Sequence, residues 1–71
     1  MANLYTKIHE LRKVRGLQQA ELAALVGVRR ETIGNLENGK YNPSLKLAMD
    51  IAKVFNLPVE EIFWFEENDY N

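Results

Sequence analysis

The chain has 71 residues, 46% of them apolar, with no cysteine and with nine Lys and Arg against ten Asp and Glu, a formal net charge of −1. That length fits one small domain, 1–71; it is too short for a reading head plus a separate effector domain, and too short for most enzyme folds with a deep pocket. The lack of cysteine excludes disulfide scaffolds, zinc fingers and thiol nucleophiles and suits a cytoplasmic location, and no apolar run is long enough to span a membrane or to form an export signal.

Leu4, Ile8, Leu11 and Val14 recur at helical spacing, and a basic turn (Arg12, Lys13, Arg15) precedes Gly16, as a helix C-terminus favours. This predicts a first helix over 5–15, after an N-terminal strand segment, 1–5. A second run of good helix formers, 18–26, stops at Gly27, and a third, 30–38, stops at Gly39. Two short helices joined by a tight glycine-containing turn form a helix-turn-helix over 18–38. Asn42-Pro43-Ser44 breaks the chain, with Ser44 suited to cap a fourth helix, 45–55. Pro58 fits the first turn of a short fifth helix ending near 62. Residues 63–71 begin with Phe63-Trp64-Phe65 and end acidic, a strand followed by a tail.

On a helical wheel, Ile33 and Leu36 of the third helix fall on one side, and Arg30, Glu31, Gly34, Asn35 and Asn38 form a polar stripe opposite. A solvated face is the simpler reading of any such stripe. This one, however, lacks Lys and carries the side chains that pair with base edges: Arg with guanine, Asn with adenine, Glu with cytosine. Gly34 lowers helix propensity by about 1 kcal/mol against Ala and so asks for a reason, such as close approach of the backbone to a partner.

The charge is unevenly placed. Residues 1–59 hold all nine basic residues and five acidic ones, a net of +4; residues 60–71 hold five acidic and no basic residue. A basic body points to an anionic partner, and the acidic tail is expected on the side away from the third helix. The fourth helix carries two apolar stripes, Leu45, Ala48, Met49, Ala52 and Phe55 beside Leu47, Ile51 and Val54. Its excess, together with four large apolar residues in a row at 62–65, predicts a homodimer interface over Leu4, Leu47, Ile51, Val54, Phe63, Trp64 and Phe65, with the terminal strands paired in a small antiparallel sheet.

The combination Leu11-Arg12, Gly16-Leu17-Gln18-Gln19-Ala20-Glu21-Leu22-Ala23, Gly27-Val28, Thr32-Ile33, Leu36-Glu37-Asn38-Gly39-Lys40, Asn42-Pro43-Ser44 and Ile51-Ala52 resembles the Cro and phage-repressor type helix-turn-helix transcriptional regulators over residues 7–62. The resemblance is to their short dimeric members. It implies a mainly α, five-helix, lambda-repressor-like domain that binds double-stranded DNA with the third helix in the major groove. It further implies base contacts from Gln19, Arg30, Glu31 and Asn35, and phosphate contacts from Gln18, Arg29, Asn38, Lys40 and the main-chain amides near Gly39. Arg12 and Glu37 match a structural ion pair. Arg29 departs from the pattern, standing where relatives place a Ser or Thr cap.

Other signals are weaker. Gly34–Lys40 matches most of a phosphate-binding loop but ends in Tyr41, without the metal-binding hydroxyl. His9 has no second His or Cys with which to hold a metal, and reads as exposed. Glu60 and Glu61 read as favourable charge at a helix start. The expected protein is therefore a repressor reading a palindromic operator as a homodimer, with no cofactor, small-molecule ligand or enzymatic activity. The alternative is a protein-interaction module, antitoxin- or anti-repressor-like, that acts through the Trp64 surface.

Overall fold

A computed structural model describes residues 3–66. The chain runs β1 (Asn3–Thr6), α1 (Ile8–Arg15), α2 (Gln19–Val26), α3 (Arg30–Glu37), α4 (Leu45–Phe55), a single 3-10 turn (Val59–Glu61) and β2 (Phe63–Glu66). β1 and β2 pair antiparallel, Leu4 opposite Phe65 and Tyr5 opposite Trp64. The fold is thus mainly helical, with four α-helices and a two-stranded sheet. The expected fifth helix is one 3-10 turn, because only three residues separate Pro58 from Ile62, whose carbonyl already accepts the Lys7 N–H at 2.9 Å beside the sheet. The acidic residues beyond Glu66 lie outside the described residues.

The first helix starts three residues later than its apolar spacing predicts. Tyr5 and Thr6 pair with Trp64 and Phe63, so Leu4 reaches the core from a strand and Ile8 from a helix. Both periodicities put a residue on the inner side at these two positions, which is why the sequence pattern reads as continuous.

The core joins all four helices to the sheet. Ile8, Leu22, Ile33, Leu36, Ile51 and Ile62 are fully buried. Between α2 and α3, Gly27 takes φ 75°, and the Val28 N–H returns to the Ala23 carbonyl at 3.0 Å, so the turn is closed by the backbone. Ser44 caps α4, its Oγ accepting the Leu47 N–H at 3.1 Å. At the other end of α4, Arg15 donates to the carbonyls of Val54 (2.8 Å) and Phe55 (3.1 Å). A cation is thereby placed on a helix C-terminus and α1 is tied to α4.

The burial of α4 corrects the expected subunit interface. Leu47 and Ile51 are buried, as are Leu4 and Phe63, all within the chain's own core, and Val54 packs half-buried against it. Leu4, Leu47, Ile51 and Phe63 are thus spent on the chain's own core and leave little surface for a second copy. The exposed apolar residues of α4 are Leu45 and Met49, while Ala48, Ala52 and Phe55 of the same stripe are buried. On the sheet, Tyr5, Trp64 and Phe65 remain 39–49% exposed.

Candidate nucleic-acid interface

The polar stripe of α3 faces outward, as its wheel position requires. Ile33 and Leu36 anchor the helix in the core, while Arg30, Glu31, Asn35 and Asn38 are exposed and Gly34 lies half-buried between them. Arg29 precedes the helix in extended conformation and makes no side-chain cap bond, which leaves its guanidinium outside the helix. At the start of α2, the Gln18 N–H donates to the Glu21 carboxylate at 2.8 Å. This reach back from the third helical residue compensates for a weak capping side chain.

Behind the stripe lies a continuous set of hydrogen bonds. Arg12 is buried on α1 and grips Glu37 with two donors, Nε to Oε2 at 2.5 Å and Nη2 to Oε1 at 3.1 Å. Its Nη1 donates to the Leu17 carbonyl at 2.9 Å. One guanidinium therefore fixes α1, the α1–α2 connection and α3 at once. Glu37 Oε1 also accepts from Gln19 Nε2 at 3.1 Å, and Gln19 Oε1 accepts from Arg30 Nη1 at 3.2 Å. The series runs from a buried ion pair to an exposed arginine at the outer surface. It holds Gln19 and Arg30 in defined positions before any partner arrives, which lowers the ordering cost of binding.

Burial pushes the Glu37 carboxyl upward, but the hydrogen bonds from Arg12 and Gln19 and the charges of Arg12 and His9 outweigh it and hold the pKa below the ordinary carboxylate value. Glu37 is therefore a permanent acceptor at neutral pH.

His9 is exposed, as expected, with 58% of its side chain accessible; what the sequence reading missed is its contact with the ion pair, Nδ1 lying 3.1 Å from Arg12 Nη2 and 3.6 Å from Glu37 Oε1. The signal available was its i, i+3 spacing to Arg12 on one helix face.

Gly39 requires a correction. Its N–H donates to the Leu36 carbonyl at 3.0 Å, and the Lys40 N–H to the Asn35 carbonyl at 2.9 Å, so both amides close the end of α3 and are not free for a phosphate. Gly39 serves the fold instead. It has φ 68°, and a Cβ there would stand 2.5 Å from the Leu4 carbonyl oxygen of β1. This contact also seats β1 against the C-terminal end of α3. The side chains of Gln18, Arg29, Asn38 and Lys40 remain exposed around the stripe.

The arrangement offers a convex helix face carrying Arg, Glu and Asn, flanked by exposed cations. Among the described residues, no group of three or more His, Asp or Glu is placed to hold a metal. Among the described residues, no helix is long and apolar enough to cross a membrane.

Comparison with known proteins agrees with this geometry. The profile of the Helix-turn-helix family matches residues 8–62. A helix-turn-helix-type transcriptional regulator of Archaeoglobus fulgidus is 59% identical over 64 residues, covering 90% of this chain and 90% of its own. The cryptic phage CTXphi transcriptional repressor RstR of Vibrio cholerae is 35% identical over 80% of this chain, which spans about half (51%) of its length. Among solved structures, the restriction-modification controller protein C.AhdI of Aeromonas hydrophila superposes with a TM-score of 0.70 at 34% identity, over 78% of this chain and 83% of its own.

Proposed function

The chain belongs to the helix-turn-helix family of DNA-binding transcriptional regulators, and from that premise we propose that it is a sequence-specific repressor that binds a palindromic operator as a homodimer, with α3 in the major groove. The observation that carries the reading is the series Arg12–Glu37–Gln19–Arg30, which runs from a buried ion pair through the Gln19 carboxamide to an ordered, exposed guanidinium on α3. A face meant only for solubility does not need a buried ion pair to order its side chains.

In this reading Arg30, Glu31 and Asn35 meet base edges, with Gln19 beside them, and Gln18, Arg29, Asn38 and Lys40 meet phosphates. Repression is supported by the name of the cholera phage relative. Self-association is supported by the outward face of the sheet, where the exposed Tyr5 and Trp64 rings stack at 6.3 Å. A two-stranded sheet also has two outer edges, and a second copy would cover apolar area and edge together.

Selection of bound duplexes from a random library tests the proposal. The expected product is a motif with two half-sites about one helical turn, ~34 Å, apart. If no sequence is enriched while the protein still self-associates, its important surface is the Trp64 face and the repressor reading is wrong.

A further inference from the structure

Gly34 is unexplained by the fold. It lies inside α3, an eight-residue helix, where glycine is an unfavourable choice. The left-handed conformations that call for glycine occur at Gly16, Gly27 and Gly39, and not here. Nor is it forced by crowding. A Cβ built at Gly34 would lie 3.7 Å from Nε2 and Oε1 of Gln19, ordinary van der Waals contact. Alanine therefore fits the folded chain without displacing anything.

The residue sits in the middle of the outward stripe. Arg30 lies one turn before it and Asn38 one turn after, and the Gln19 carboxamide, fixed between Glu37 and Arg30, lies alongside. Without a side chain, Gly34 leaves half-buried backbone bare between the exposed Arg30 and Asn38, with the Gln19 carboxamide on one side. That backbone has no amide left to donate, because the helix uses its own. An apolar protrusion suits such a surface. On the major-groove edge of DNA only the thymine C5-methyl group is of that kind; every other distinguishing feature there is a hydrogen-bond donor or acceptor.

We propose that Gly34 is a specificity-determining residue whose missing side chain admits a thymine methyl group into α3. The inference rests on α3 being the reading helix. It adds a base preference that no hydrogen-bonding side chain of the stripe supplies.

The test uses the full chain and the site obtained by selection. Each thymine is replaced in turn by deoxyuridine, which removes only the methyl group. Wild-type protein is expected to lose about fourfold in affinity at one thymine per half-site, the value of one buried methyl group. Gly34→Ala is expected to melt at the same temperature as wild type or higher, and to bind the thymine site more weakly by at least the same factor. It should regain affinity when that thymine becomes deoxyuridine, because the new Cβ then occupies the vacated space. An enriched site at which no thymine matters to wild type, or at which both proteins respond identically to deoxyuridine, overturns this inference alone. Failure to enrich any site overturns it together with the reading of α3.

Discussion

Arg12 and Glu37 do two jobs with one contact. Their side chains are about nine-tenths buried, so the pair is expensive to desolvate, and it is stable only because each hydrogen-bonding group has a partner: Glu37, Leu17 and His9 for the guanidinium, and Arg12 and Gln19 for the carboxylate. Removing one member leaves the other charged and buried. Arg12→Ala is expected to cost about 3–5 kcal/mol in urea unfolding. The pair also sets a pH dependence. Since the folded-state pKa of Glu37 lies below the ordinary value of 4.5, its contribution to stability is complete above that value and is lost as pH falls through the depressed one. Stability measured from pH 7 to pH 3 should fall less steeply for Glu37→Gln than for wild type. Equal slopes would mean that other carboxylates account for the acid sensitivity.

At the scale of elements, the ends of helices decide where the functional face sits. α3 ends at Glu37 because Gly39 turns left-handed beside the Leu4 carbonyl, so the last turn of α3 and the first strand meet at one residue. Gly39→Ala combines a left-handed non-glycine residue with a 2.5 Å contact to backbone, and is expected to lower the melting temperature by about 10 °C or more. A melting temperature within 2 °C of wild type would show that β1 is free to move away.

Much of this layout was legible beforehand. The glycine stops and Ser44 marked the bounds of α2, α3 and α4, because caps are local chemistry. Three features were not. Thr6 and Tyr5 read as helix because strand pairing with Trp64 and Phe63 is non-local. The expected free stripe of α4 is absent because both stripes feed the core: Leu47 and Ile51 are buried together with Ala48, Ala52 and Phe55, and only Leu45 and Met49 are exposed. The phosphate role given to Gly39 failed because the sequence cannot show that its amide already has an acceptor.

At the scale of the whole molecule, the net charge of −1 sums two regions that differ in sign, a body of +4 and an acidic end. The described part of that end begins beside the sheet, where Tyr5, Trp64 and Phe65 stay exposed although the rest of the apolar residues there are covered. Tyr5 and Trp64 share one face of the sheet, while Phe65 lies opposite Leu4 on the other, and the proposed homodimer would give the Tyr5–Trp64 pair a partner. Sedimentation equilibrium is expected to show a mass twice the 8.2 kDa of the chain. Trp64→Lys should shift the equilibrium toward monomer by at least tenfold in dissociation constant, whereas Leu45→Lys on α4 should leave it unchanged. The reverse pattern would place the interface on α4.

That α3 reads base sequence through a side chain ordered from behind is tested by titrating wild type and Arg30→Ala against the selected site and its single-base variants. Arg30→Ala is expected to lose about 1–3 kcal/mol on the selected site and to become indifferent to the base at one position per half-site, with its preferences elsewhere intact. An equal loss on every variant, or no loss on any, would contradict it.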